Sequence, residues 1–146
     1  MRLLPLLLLA CLLTGCSAEV INAHQPLELR VVAEPGETTL KDKAGTEYHV
    51  GPVALVLARF TGIKAGYDQQ RGSRVINITL PDEEAAKWGK FTEENLEKRI
   101  VMVVGGIVQS VDTIRSPILD GNLQLTGRTL TTAEITQLAK DIKGGS

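Results

Sequence analysis

Cysteine and histidine each occur only twice, and both cysteines, Cys11 and Cys16, fall near the start of the chain. Beyond Cys16 there is no thiol, so the body of the protein forms no disulfide and offers no cysteine-based metal site; hydrophobic packing must hold it together. His24 and His49 show neither H-x-x-x-H nor H-E-x-x-H spacing and read as surface side chains, so no metal and no cofactor is expected. An excess of positive charge is missing too: 16 Lys and Arg face 17 Asp and Glu, for a formal charge of −1, which argues against a nucleic-acid partner. After the first fifteen residues the longest apolar runs, 53–58 and 100–104, fall far short of the roughly 20 residues that cross a bilayer as a helix. No G-x-S-x-G elbow surrounds Ser110 or Ser116, and neither G-x-G-x-x-G nor G-K-[ST] surrounds Gly105-Gly106. With no nucleophile and no oriented base, the chain reads as non-enzymatic. Aromatic residues make up 3%, so Trp88 and Phe91 are expected in the core rather than in an exposed patch.

What is present begins at the N-terminus. Arg2 and the α-amino group precede an apolar run over residues 3–13, and small residues follow, the three parts of an export signal too short to span a bilayer. The run ends in Leu13-Thr14-Gly15-Cys16, which resembles the lipobox of bacterial lipoproteins. The resemblance implies that residues 1–15 are a signal peptide and that Cys16 becomes the first residue, carrying lipid on its sulfur. Residues 16–26 then form a tether of at most roughly 35 Å, which keeps the following domain close to the bilayer. Ser17 after the lipidated cysteine implies the outer rather than the inner membrane of a two-membrane envelope, with the domain facing the periplasm.

Residues 27–146 suit one domain of ordinary size. Residues 27–32 alternate as a half-buried strand, Glu34-Pro35-Gly36-Glu37 turns the chain, and the polar stretch through Gly45 reads as a loop or loose hairpin closed by Gly51-Pro52. A second strand is expected over 53–60. The segment 63–70 is expected to pair back on 74–80 across Arg71-Gly72-Ser73, with Ile76, Ile78 and Leu80 on one face of the latter strand. Asp82, Glu83 and Glu84 belong at the positive end of a helix, whose packing stripe is Ala85, Trp88, Thr92 and Leu96, with Lys98 and Arg99 at its negative end. Residues 100–104, Gly105-Gly106 and 107–114 predict a tight hairpin with a central strand, and 122–126 one further strand. Thr131-Thr132-Ala133-Glu134 is a capping box opening a last helix with Ile135, Leu138, Ala139 and Ile142 inward, ended by Gly144-Gly145. The order predicts an α+β domain, a mainly antiparallel sheet with two helices packed on one face.

In this order the segments resemble the head part of the first periplasmic domain of SecD, the accessory membrane protein of the Sec translocon. The resemblance is carried by residues 27–32, by 61–68, by 91–99 with the apolar hairpin after it, by Ser116-Pro117-Ile118 and by 123–127. Gly105-Gly106 and Ser116-Pro117 stand where the family usually has Asp-Gly and Ala-Pro. The resemblance implies the head's fold and a role in holding emerging polypeptide, but not proton-driven movement, because the chain shows none of SecD's membrane spans.

The expected function is that of a lipid-anchored, non-enzymatic binding module that contacts exported polypeptide or an envelope component by pairing at a sheet edge. The alternative is a structural accessory subunit of an envelope complex. Ile114, Arg115, Ser116, Pro117 and Ile118 form the candidate contact loop, since proline stiffens it and one cation stands among apolar neighbours.

Overall fold

In the computed structural model, residues 18–127 and 130–144 are described; residues 1–15, expected as a signal peptide, and Cys16 lie outside them. The chain runs β1 (Ile21–Val31), β2 (Thr38–Lys41), β3 (Glu47–Val50), β4 (Leu55–Phe60), β5 (Gly62–Asp68), β6 (Ser73–Thr79), α1 (Asp82–Glu94), β7 (Arg99–Val104), β8 (Ile107–Thr113), β9 (Asn122–Gly127) and α2 (Thr132–Lys143). The fold is α+β. Its strands form a four-stranded sheet ordered β4-β1-β7-β8, a three-stranded sheet ordered β5-β6-β9 and the β2-β3 hairpin, and every ladder is antiparallel. The β7-β8 hairpin turns on Gly105 and Gly106 at φ 59° and 78°, values that glycine adopts without steric cost.

The run 100–104 is apolar throughout because β7 is covered on both faces. On one side Ile100, Met102 and Val104 join Leu27, Leu29 and Leu57 of the same sheet and Ile76, Ile78, Leu123 and Leu125 of the three-stranded sheet, with Trp88 and Phe91 of α1 and Ile135, Leu138 and Ile142 of α2. On the other, Val101 and Val103 pack with Val108 against Val50, Leu40 and Tyr48 of the β2-β3 hairpin. Each such side chain contributes about 1.5–3 kcal/mol on burial, set against the entropy of ordering it. Helix α2 begins in the expected capping box: Thr131 Oγ1 accepts from the Glu134 N–H at 3.2 Å and a Glu134 carboxylate oxygen accepts from the Thr131 N–H at 2.7 Å. Helix α1 has no side-chain cap and is instead tied to β4 by Arg59, which bonds Glu83 at 2.7 Å and Glu84 at 3.1 Å.

The structure departs from the sequence reading in three places. Strand β1 starts at Ile21 rather than Leu27, so residues 21–26 of the expected tether belong to the strand. Pro26 sits where the pairing with β4 shifts register between Asn22 and Leu27, a bulge that needs no N–H from it. Helix α1 stops at Glu94, where the Asn95 amide donates to the Phe91 carbonyl at 2.8 Å and Glu97 turns the chain at φ 65°. Leu96 is therefore outside the packing stripe and 42% exposed, and Lys98 and Arg99 do not sit on the helix end, Arg99 being the first residue of β7. Finally, the strands fall into separate sheets: β8 and β9 approach through the Ser110 side chain, whose hydroxyl accepts from the Thr126 N–H at 3.2 Å, and not through a backbone ladder.

Candidate functional site

Antiparallel alternation decides which backbone groups the seam between β8 and β9 leaves open. The Val32 N–H donates to the Arg99 carbonyl, so Arg99 faces β1 and its neighbour Ile100 faces β8. Ile100 lies opposite Asp112, so the backbone groups of Asp112 and Ser110 point to β7 and those of Val111 and Thr113 point away from the sheet. On β9, the Leu80 N–H to Gly121 carbonyl bond fixes the same alternation: Leu123 and Leu125 face β6, while Gln124 and Thr126 face outward. Two sheet edges thus confront each other, joined at one end by Ser110 and open at the other.

The open end is a groove of about 560 Å³ lined by Val111, Thr113 and Gln124 of the two edges, with Ile100, Met102 and Ile114 beneath and Trp88 at the side. Trp88 is 1% exposed, its Nε1 donates to the Asn122 carbonyl at 3.2 Å, and it stacks on Phe91 with centroids 5.9 Å apart. The candidate contact loop forms one rim. Ile114 is a core side chain, Arg115, Ser116 and Pro117 are exposed and Ile118 is half-buried. Ile114, Arg115, Ser116 and Ile118 line the groove. The loop is held at both ends: the Ile114 N–H donates to the Lys98 carbonyl at 3.0 Å, and the Ile118 N–H donates to Thr92 Oγ1 at 3.0 Å, which itself donates to the Gly89 carbonyl at 2.8 Å.

Arg71 and Arg99 complete the lining, and sequence reasoning missed both. Arg71 lies in the β5-β6 turn and read as turn punctuation, and Arg99 read as a helix-end cation; nothing in their spacing shows that they converge with Arg115. The one acidic side chain in the groove, Asp112, accepts from the Ser110 hydroxyl at 2.6 Å, so Ser110 is committed to the seam.

Beyond Ser110 lies a smaller pocket of about 260 Å³ lined by Asp42, Tyr48, Arg99 and Leu130 among others. Burial raises the Asp42 carboxyl, but the Thr46 N–H, the Tyr48 hydroxyl and the Ala44 N–H outweigh it and leave it below the usual carboxylate range. Burial, and then the Asp42 charge, push the Tyr48 hydroxyl up. His24 and His49 lie on separate strands, and among the described residues no group of three or more His, Cys, Asp or Glu is placed to hold a metal ion.

Residues 36–146 match the family model of the SecDF P1 head subdomain. The chain belongs to that family. It is similar to protein translocase subunit SecD of Aquifex aeolicus, 35% identical over 88% of this chain and 28% of the relative. It also resembles SecDF of Thermus thermophilus, at 29% identity over 66% of this chain and 13% of the relative. The fold agrees with that of a solved structure of SecDF, described as a membrane component that enhances protein export, at a TM-score of 0.61 and 22% identity over 84% of this chain and 64% of that one. The chain spans less than a third of the curated relatives' length. Among the described residues no helix is long and apolar enough to cross a membrane.

Proposed function

We propose that this SecDF P1 head domain works as a non-enzymatic holding module for extended polypeptide in the periplasm, anchored to the outer membrane through lipid on Cys16. The observation that carries the reading is the pair of open edges. Val111 and Thr113 on β8 and Gln124 on β9 turn backbone groups into one groove, and an extended chain laid there satisfies hydrogen bonds on both sides. Such a guest recognises backbone rather than sequence, which suits a protein that handles many exported chains. The name SecDF and its link to protein export support the same reading by family.

Thr113→Pro tests it. The Thr113 N–H faces the groove and makes no ladder bond, so proline removes a donor from the guest while sparing the β7-β8 pairing. Binding of a labelled unfolded polypeptide to the full chain is expected to fall with the melting temperature nearly unchanged; equal binding would exclude edge pairing at this seam. In cells, photo-crosslinking from Arg115, with exposed Lys64 on β5 as the second position, is expected to capture many unrelated exported chains. Capture of one envelope protein at fixed stoichiometry would instead identify a structural subunit.

A further inference from the structure

The groove carries more charge than backbone pairing requires. Of its lining side chains Arg71, Arg99 and Arg115 are cationic and Asp112 alone is anionic, in a chain whose formal charge is −1. Asp112 is already engaged by the Ser110 hydroxyl at 2.6 Å. Arg71 reaches Asp68 Oδ2 only through Nε at 3.8 Å, while Asp68 Oδ1 accepts from the Gln70 and Arg71 N–H groups at 3.0 and 3.1 Å. Among the described residues Arg99 and Arg115 have no ion-pair partner within 4 Å. The three arginines come from three separate segments, the β5-β6 turn, the start of β7 and the rim loop, and the same lining includes the apolar Ile100, Met102 and Ile114.

We infer that the groove selects extended polypeptide segments in which carboxylate side chains alternate with apolar ones. This rests on the holding role proposed above and adds a preference to it. In an extended guest, successive side chains point to opposite faces, so one set can rest on the apolar floor while the alternate set meets the arginines at the rim. Guanidinium groups suit this, since each can accept a carboxylate in a fork of two hydrogen bonds. Anionic lipid is the other chemistry that three arginines attract, and the topology disfavours it. Ile21 pairs with Phe60 at one end of β4, Leu29 pairs with Leu55 at its other end, and Leu29 faces Met102, three residues from Arg99. Five rises of β4, from Phe60 to Leu55, separate the start of β1 from the Leu29–Met102 level of the groove, about 17 Å along the sheet, so a domain anchored through lipid on Cys16 presents the groove away from its own bilayer.

The test uses the full chain in detergent and three fluorescently labelled peptides in which valine alternates with glutamate, glutamine or lysine, read by anisotropy. The glutamate peptide is expected to bind more tightly than the glutamine peptide, with an advantage that shrinks as salt rises. Replacing Arg71→Gln, Arg99→Gln and Arg115→Gln together is expected to erase the difference between the glutamate and glutamine peptides, at roughly threefold for each arginine, the scale of an exposed ion pair, while the melting curve persists. The single variant Arg115→Glu is expected to shift preference toward the lysine peptide. Equal binding of glutamate and glutamine peptides, both lost in Thr113→Pro, would overturn the acidic preference and leave the holding role standing. Binding of no peptide would overturn both. Capture of phosphatidylglycerol vesicles that depends on the three arginines, with no peptide bound, would overturn the inference in favour of a lipid headgroup.

Discussion

Thr92→Val isolates a single hydroxyl that links α1 to the rim of the groove. Thr92 is fully buried, and its Oγ1 serves twice, accepting from the Ile118 N–H at 3.0 Å and donating to the Gly89 carbonyl at 2.8 Å. Valine keeps the shape and removes the acceptor, so the Ile118 N–H loses its partner. An orphaned buried donor costs about 1–3 kcal/mol; because Ile118 is half-buried and water can reach part of it, about 1–2 kcal/mol is expected. At roughly 3–5 °C per kcal/mol for a domain of this size, the melting temperature should fall by about 3–10 °C. Thr92→Ser is the control: it keeps the hydroxyl and loses one methyl group, worth about 0.8 kcal/mol. Hydrogen exchange separates the two variants, since protection of the Ile118 amide should survive in the serine variant and collapse in the valine variant. Peptide binding at the groove should weaken with that protection. A valine variant that melts like the parent and keeps Ile118 protected would show that the hydroxyl does not hold the loop, and the argument for an anchored rim would fail.

Other perturbations probe the remaining supports. Gly36→Ala would put a Cβ 2.6 Å from the Val50 nitrogen and 2.8 Å from both the Ala33 oxygen and the His49 carbonyl carbon, all backbone atoms, so a loss of about 1–3 kcal/mol is expected in denaturant titration; an unmoved midpoint would contradict this packing. Hydrogen bonding from Lys43, and then from the Thr131 N–H, holds the Glu134 carboxyl down to about 2, against an ordinary 4.5. Because the folded value is the lower one, the carboxylate's contribution is complete above about pH 5 and disappears as pH falls toward 2. The melting-temperature gap between the parent and Glu134→Gln should therefore close across that interval, and a gap constant with pH would refute the assignment. Cys16→Ala should move the protein from the membrane to the soluble fraction and remove the acyl mass seen by mass spectrometry; a parent chain without acyl mass would exclude the lipid anchor.

Local chemistry was enough for much of the architecture. Gly105-Gly106 predicted the β7-β8 hairpin, Thr131 with Glu134 the start of α2, Arg71-Gly72-Ser73 the β5-β6 turn, and the unbroken apolar run 100–104 a central strand. Each of these is written in the bonding or conformational needs of neighbouring residues, so no distant contact had to be known. Where the outcome depended on a partner strand, the sequence was silent or misleading. Residues 21–26 read as a tether, and become strand because β4 pairs with Ile21 and Asn22 before a bulge that accommodates Pro26. Leu96 continues a helical spacing, yet the Asn95 side chain ends the helix before it.

The groove belongs to the second kind. Residues 114–118 were recognisable as a stiffened loop with one cation, but Arg71 and Arg99 lie many residues away in elements whose meeting is set by the stacking of two sheets. The sequence by itself determined the order of most elements, the α+β class and the lipobox resemblance at Cys16, because spacing and residue type express those locally. Only the tertiary structure decided that β8 and β9 face each other without pairing, that Ser110 bridges them, and that three arginines from separate segments line one groove. Those facts depend on strand order and on which way each backbone group points, and strand order is settled by the packing of the whole core.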